Sequence, residues 1–192
     1  MNKTFILLVT LLVNIGIANA QTERRIYTKA EQENAQNREQ EKQLEAIRDS
    51  IRAVDALQAL EKLDFVLEAN QLIFKRGETA FVTSTTNFVS LSNDKAIIQI
   101  APFNGGGPNG VGGITLEGRA SNIKIKTDKK GNTIFTMNVS GTGLSATVDI
   151  SLPKDSYRAS VTVNPNFHSN RVTLSGDLLP SGYSNVFKGR SL

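Results

Sequence analysis

NGGGPNGVGGITLEGRASN, residues Asn104–Asn122, is the stretch on which the fold turns. Asn104–Gly113 holds too much glycine for a helix interior or a strand ladder, so it reads as a loop. Ile114–Lys126 reads as a strand. Ile114, Leu116, Gly118 and Ala120 share one face of it, whereas Ile123 and Ile125 have the opposite parity. Side chains alternate strictly along a strand, so the apolar set keeps one face only if an extra residue is inserted. The pattern therefore predicts a β-bulge or sharp bend at Ser121-Asn122. Gly118 and Ala120 are small, which predicts close approach of another layer, with the N-terminal helix as the expected one.

Downstream, the chain alternates apolar and polar residues between turns. Phe135, Met137 and Val139 form one apolar set, then Leu144, Ala146, Val148, Ile150 and Leu152. Tyr157, Ala159, Val161 and Val163 follow, and then Val172, Leu174 and Leu178. The intervening Asp128–Asn132, Gly141–Gly143, Pro153–Ser156 and Asn164–Asn166 carry turn residues. Upstream, Phe65, Leu67 and Ala69 lie on one face, with Leu72 and Phe74 on the other. Glu78–Thr86 reads as a polar loop. Asn87–Leu91 and Ala96–Ala101 flank the hairpin turn Ser92-Asn93-Asp94-Lys95. The expected class is α+β, mainly β: an N-terminal helix docked on a curved antiparallel meander of about eight strands, barrel-like or open.

Thr28-Lys29-Ala30-Glu31 has the form of a helix capping box. A helix over Lys29–Lys62 follows, without Gly or Pro. Residues 29–43 carry no large apolar side chain. From Leu44 the spacing Leu44, Ile47, Ile51, Val54, Leu57, Leu60 makes one apolar stripe. At 1.5 Å per residue the helix runs to ~50 Å, too long to lie wholly on the domain. Residues 44–62 are therefore expected to dock through that stripe, within a domain of residues 44–192, while residues 21–43 form a charged arm. The rival, a coiled-coil dimer, finds its spacing lasting about two heptads. Asp49-Ser50-Ile51 fits a short bacterial O-glycosylation pattern, for which the plainer reading of Ser50 is a helix-surface serine.

Residues 1–20 read as an export signal: Lys3, an apolar core over Phe5–Ile17, and a small-x-small site ending at Ala20 before Gln21. The core falls short of the ~20 residues of a spanning helix, so no stable membrane span is expected once the signal is removed. The expected location is periplasmic or secreted. The 192 residues contain no cysteine, which excludes disulfides, thiolate metal sites and cysteine nucleophiles. A net charge of +4 is a mild bias, and nucleic acid is not an expected partner.

Three stretches carry a resemblance: GPNGVGGITLEGRASNIKIKTDKKGN (Gly107–Asn132), VTVNPNFHSNRVTLSG (Val161–Gly176) and the C-terminal SNVFKGRSL. Over about Ala56–Leu192 the chain resembles a family of exported Bacteroidetes proteins, domain of unknown function 4251. The resemblance implies an exported or envelope-attached domain and supplies no catalytic residues. Many relatives look like lipoproteins with a cysteine after the signal. This chain has Gln21 there, so a lipid anchor does not carry over.

No constellation in the sequence commits to catalysis. The single histidine, His168, lies among asparagines and has no second histidine for a zinc site. The glycine loop lacks a Gly-Lys-Ser/Thr ending and opens into a strand, which demotes it from phosphate cradle to flexible connector. Lys124, Lys126, Lys129 and Lys130 make a basic hairpin without aromatics, read as a soluble tip. Phe187 and Leu192 are the residues expected to pin the tail. No catalytic, cofactor-binding or metal residues are assigned and no cofactor is expected. The leading reading is a non-enzymatic exported binding or structural module, its partner an envelope protein or a small apolar ligand. Two alternatives stand: a hydrolase using carboxylates such as Glu117 and Asp149, and an assembly or inhibitor protein using its N-terminal helix.

Overall fold

The computed structural model describes residues 28–102, 106–142, 144–166 and 170–191. Ala20, Gln21, Phe103–Gly105, His168 and Leu192 lie outside them. The chain divides into two units, Met1–Leu44 and Glu45–Leu192. The first begins, among its described residues, with the capping box. The Thr28 amide donates to Glu31 Oε2 (2.8 Å), and the Glu31 amide donates to Thr28 Oγ1 (3.3 Å). These bonds satisfy two amides that a helix start otherwise leaves open. Helix α1, Lys29–Glu61, begins here, and its residues up to Leu44 are exposed.

The second unit contains the rest of α1 and nine strands: β1 (Asp64–Phe74), β2 (Thr79–Phe81), β3 (Phe88–Ser92), β4 (Lys95–Ile100), β5 (Ile114–Thr127), β6 (Thr133–Gly141), β7 (Leu144–Leu152), β8 (Arg158–Pro165) and β9 (Val172–Pro180). All pairings between them are antiparallel. From β3 to β9 each strand pairs with the next, and β1 pairs with both β3 and β9. The sheet therefore closes into an eight-stranded barrel with a helix packed on it. Strand β2 is the ninth. It comes from the segment read as a loop, where Gly77 (φ 92°) turns the chain back and Thr79–Phe81 pairs with Gln71–Ile73 of β1.

Eight strands make a barrel whose interior side chains can fill, and most of this one is filled. Phe65 and Phe135 meet edge to face in the core, with centroids 5.4 Å apart and planes at 82°. Leu67, Val89, Leu91, Met137, Val148, Ile150, Val161 and Leu174 surround them, all buried. Two irregularities bend the wall. The β5–β6 register shifts between Ser121 and Lys124, with Asn122 at φ 51°. The β1–β9 register shifts between Ala69 and Gln71. Gly118 does allow a close approach, but by strand β6 rather than by the helix. A Cβ there would lie 2.4 Å from the Ser140 carbonyl oxygen, so an alanine would force β5 and β6 apart.

Of the expected stripe only Leu60 docks on the barrel, and the rest of the docked face is alanine. Ala53, Ala56, Ala59 and Leu60 are its buried residues, and Ala56, Ala59 and Leu60 join the barrel core. Ile47, Ile51, Val54 and Leu57 remain exposed, at 57%, 57%, 55% and 38%. Residues 51 and 53 differ by about 200° around a helix, so the large stripe lies roughly opposite the docked face. The interior is already occupied by Phe65, Phe135 and their neighbours. Alanine is what fits against a filled core, whereas isoleucine in its place would overpack it. Two residues past the helix, Leu63 takes a left-handed conformation (φ 58°) and passes the chain into β1.

Candidate functional site: an apolar recess walled by clamped strands

One end of the barrel lies at the start of β1 and the end of β9. The other lies at the end of β4, the start of β5, the end of β8 and the start of β9. At this second end the described residues leave a recess of about 250 Å³. Ile98 and Ile100 of β4 and Ile114 and Leu116 of β5 form one wall. Ala146, Val163, Pro165 and Val172 form the other, with Asn170 the one polar residue in the lining. Among the described residues no charged side chain lines it. A water takes roughly 30 Å³ and an apolar cavity of ~150 Å³ admits benzene, so the space suits a small apolar group.

The same two strands are fastened on their outer face. Gln99 and Thr115 are direct partners in the β4–β5 register, and both are fully buried although they point away from the core. The Gln99 side chain amide donates to the Thr86 carbonyl (2.9 Å) and the Phe187 carbonyl (2.8 Å). Its Oε1 accepts from Thr115 Oγ1 (2.8 Å) and from the Gly189 amide (2.7 Å). Asn109, 2% exposed, accepts from the amides of Val111 (3.0 Å) and Gly113 (2.9 Å). It also donates to Thr115 Oγ1 (3.2 Å), and its carbonyl receives the Arg190 amide (2.9 Å). Asn87, also buried, accepts the Ala101 amide (2.7 Å) at the end of β4. Every polar group of this layer finds a partner, as buried amides require.

The described part of the glycine loop is therefore a clamp rather than a flexible connector. It holds the C-terminal tail, and it does so through backbone and amide groups. The Phe187 side chain, expected to pin the tail, is 61% exposed, while the Phe187 backbone donates to the Thr85 carbonyl (2.8 Å).

Glu117 closes the clamp. Lys188 donates to its carboxylate, Lys95 pairs with it at 2.6 Å, and Ser191 donates at 2.9 Å. The Lys188 bond first, then Lys95 and Ser191, holds its pKa down at about 2. Asp149 instead accepts from Thr136 Oγ1 (2.9 Å) on β6. The register places Asp149 beside Thr136 and Thr136 beside Lys124, seven positions along β5 from Glu117. At about 3.3 Å per residue and ~4.8 Å per strand that is roughly 20 Å, so these carboxylates form no pair. Ser50 is exposed on α1 and donates to the Ala46 carbonyl (2.9 Å). Among the described residues no three His, Asp or Glu side chains stand close enough to hold a metal ion.

A carboxylate pair does occur elsewhere. Glu68 on β1 and Asp177 on β9 are directly opposite in the register. They line a cleft of about 370 Å³ with Arg52, Asp55, Tyr157 and Tyr183. Burial raises the Asp177 pKa, the Arg158 and Arg52 guanidinium groups oppose the rise, and Glu68 adds to it. Asp177 Oδ1 is shielded from solvent and makes no hydrogen bond among the described residues. The Arg158 guanidinium is 3.5 Å away. Glu68 accepts from Ser184 Oγ (2.7 Å). Their sequence separation hid this pair, and the signal that could have revealed it was the pairing of first with last strand.

Residues 48–178 match the family described as Domain of unknown function (DUF4251). The chain belongs to the DUF4251 family. A crystal structure of a DUF4251 family protein from Bacteroides eggerthii DSM 20697 is similar to it at 48% identity and a TM-score of 0.65. The likeness covers 77% of this chain and 99% of that one. No curated protein matches. In this DUF4251 protein, no helix among the described residues is long and apolar enough to cross a membrane.

Proposed function

We propose that this DUF4251 protein is a non-enzymatic binding module exported to the bacterial envelope, and that it seats a small apolar ligand in the recess between β4–β5 and β7–β9. The observation that carries this reading is the composition of the recess: among the described residues, eight apolar residues, one asparagine and no charge surround about 250 Å³. Burial of apolar surface at ~25 cal/mol per Å² is then the main source of affinity, and the polar part of a ligand stays at the rim. Export rests on the signal-like residues 1–20.

The neutral fluorophore N-phenyl-1-naphthylamine and decanoate are suitable probes. Ala146 is 1% exposed and lines the recess, so Ala146→Phe should fill it. The expected result is binding of either probe by the parent protein and a loss of at least about tenfold in the variant, as ~1.4 kcal/mol of lost contact implies. Equal binding by a folded Ala146→Phe protein would refute the recess as the site.

A second reading, a carboxylate-dependent hydrolase, draws its support from Glu68 and Asp177. Residues directly opposite in a sheet have Cβ atoms ~5 Å apart, which lets their carboxyl groups reach the roughly 5–10 Å separations that glycosidases use. Release of reducing ends from envelope polysaccharide by the parent protein, abolished in Glu68→Gln, would favour it over the binding module.

A further inference from the structure

We infer that the outward ridge of α1 is a self-association surface, which pairs antiparallel with the same ridge of a second copy. Ile47, Ile51, Val54 and Leu57 lie on the side of α1 away from its docked alanine face, and each is between 38% and 57% exposed. The barrel flanks one side of the ridge, where Val54 and Leu57 border a cleft shared with Leu152 and Pro153, and leaves Ile47 and Ile51 facing outward. The helix is anchored on the barrel from Ala53 on, and the turns before it are continuous with that anchored segment, so pairing does not have to offset the cost of nucleating the helix.

Area and charge both point to a second copy. Four large aliphatic residues at these exposures present on the order of 400 Å² of apolar surface, at the size where monomer patches become functional. Two such ridges with their flanking stems bury roughly 1,200 Å², the lower edge of specific interfaces. An antiparallel two-fold arrangement centred between Arg52 and Ala53 stacks Ile51 on Val54 of the second copy, and Val54 on its Ile51. The same register sets Arg48 of each copy beside Asp55 of the other, twice by symmetry. Neither Arg48 nor Asp55 has an ion-pair partner among the described residues. A parallel pairing would leave Asp55 facing Ser50 and gain no opposite-charge contact. The two ion pairs thus choose the orientation, while the ridge supplies the affinity.

Light scattering coupled to size exclusion, with sedimentation equilibrium, tests this on the purified protein. At about 100 µM the parent protein is expected to run at twice the monomer mass, as suits an interface of this size. Ile51→Glu should be monomeric, with the parent's thermal midpoint when both are measured dilute enough for the parent to be monomeric, because Ile51 is not part of the core. Arg48→Glu should weaken pairing roughly tenfold by converting two attractions into repulsions. Arg48→Glu combined with Asp55→Arg should restore it to within about twofold, which separates an ion-pair effect from a folding defect. A parent protein that stays monomeric at about 500 µM, a concentration far above the Kd of a specific interface, overturns the inference. A dimer that survives Ile51→Glu overturns it too, and failure of the charge swap to restore pairing overturns the antiparallel arrangement.

Discussion

Replacing Gln99 with alanine tests whether the clamp on the outer face holds the C-terminal tail. Gln99 makes four hydrogen bonds, two of them to the tail at the Phe187 carbonyl and the Gly189 amide. In Gln99→Ala the tail groups can be rehydrated by letting the tail go. The Thr86 carbonyl and Thr115 hydroxyl remain behind in a poorly hydrated layer. Each such group costs about 1–3 kcal/mol when left unpaired, and the lost neutral bonds contribute about 1 kcal/mol each. Tail release caps the total, so the expected destabilisation is about 2–4 kcal/mol by urea unfolding. Hydrogen exchange should localise it. The amides of Phe187, Gly189 and Arg190 should lose protection, while β6–β8 keep theirs. Removing residues 185–192 should reproduce most of the loss, and Gln99→Ala in that background should add less than it does alone. Full protection of the three tail amides in Gln99→Ala, or a destabilisation below about 0.5 kcal/mol, the size of an ordinary surface change, would refute the reasoning.

Two pH predictions follow from the carboxylates. The folded-state pKa of Glu117 is lowered to about 2 from an ordinary 4.5, so its contribution is present above pH 4.5 and fades as pH falls toward 2. Glu117→Gln should lower the urea midpoint at pH 7 and flatten the midpoint's decline between pH 4.5 and 2; an unchanged decline would count against the Lys188 and Lys95 bonds. Asp177 has the opposite sign, because its folded-state pKa stands above 3.8 through burial and the facing Glu68. Its contribution is present below pH 3.8 and lost as pH rises through the folded-state value, so Asp177→Asn should hold or raise the midpoint at pH 7 and leave it unchanged at pH 3. A clear loss of stability at pH 7 would show that the Arg158 pairing outweighs the desolvation.

The strands were legible because a half-buried strand must alternate. The parity change across Ser121 and Asn122 corresponds to the β5–β6 register shift, and the change between Ala69 and Leu72 corresponds to the β1–β9 shift. Closure of the barrel was not legible. Which strand meets β1 on its free edge depends on accumulated twist and tilt, which no local pattern records. The docked face of α1 was misread, apart from Leu60, for a related reason. Hydrophobicity ranked Ile51 above Ala53, but docking was decided by the room left beside Phe65 and Phe135. The clamp was invisible as chemistry, because Gln99, Asn109 and Thr115 are ordinary polar residues until distant segments converge on them. The recess was foreshadowed only as a possibility of curved meanders. Its lining from five strands emerges once the barrel closes.

Pairing of β1 with β9 also sets the order in which the protein can come into being. Phe65 meets Pro180 and Phe74 meets Val172, so the first strand's partner is the last to be made. A chain delivered N-terminus first, from a ribosome or through an export pore, holds one edge of β1 unpaired until residue 180 has emerged. Joining ends so far apart is entropically costly and slow compared with forming the hairpins between them. The meander from β3 to β8 can form early, but it remains an open, sticky sheet, and the seam then closes in one late event. Truncations short of β9 should therefore yield an aggregation-prone sheet rather than a smaller barrel, and a holding factor during delivery would act on the bare edge of β1.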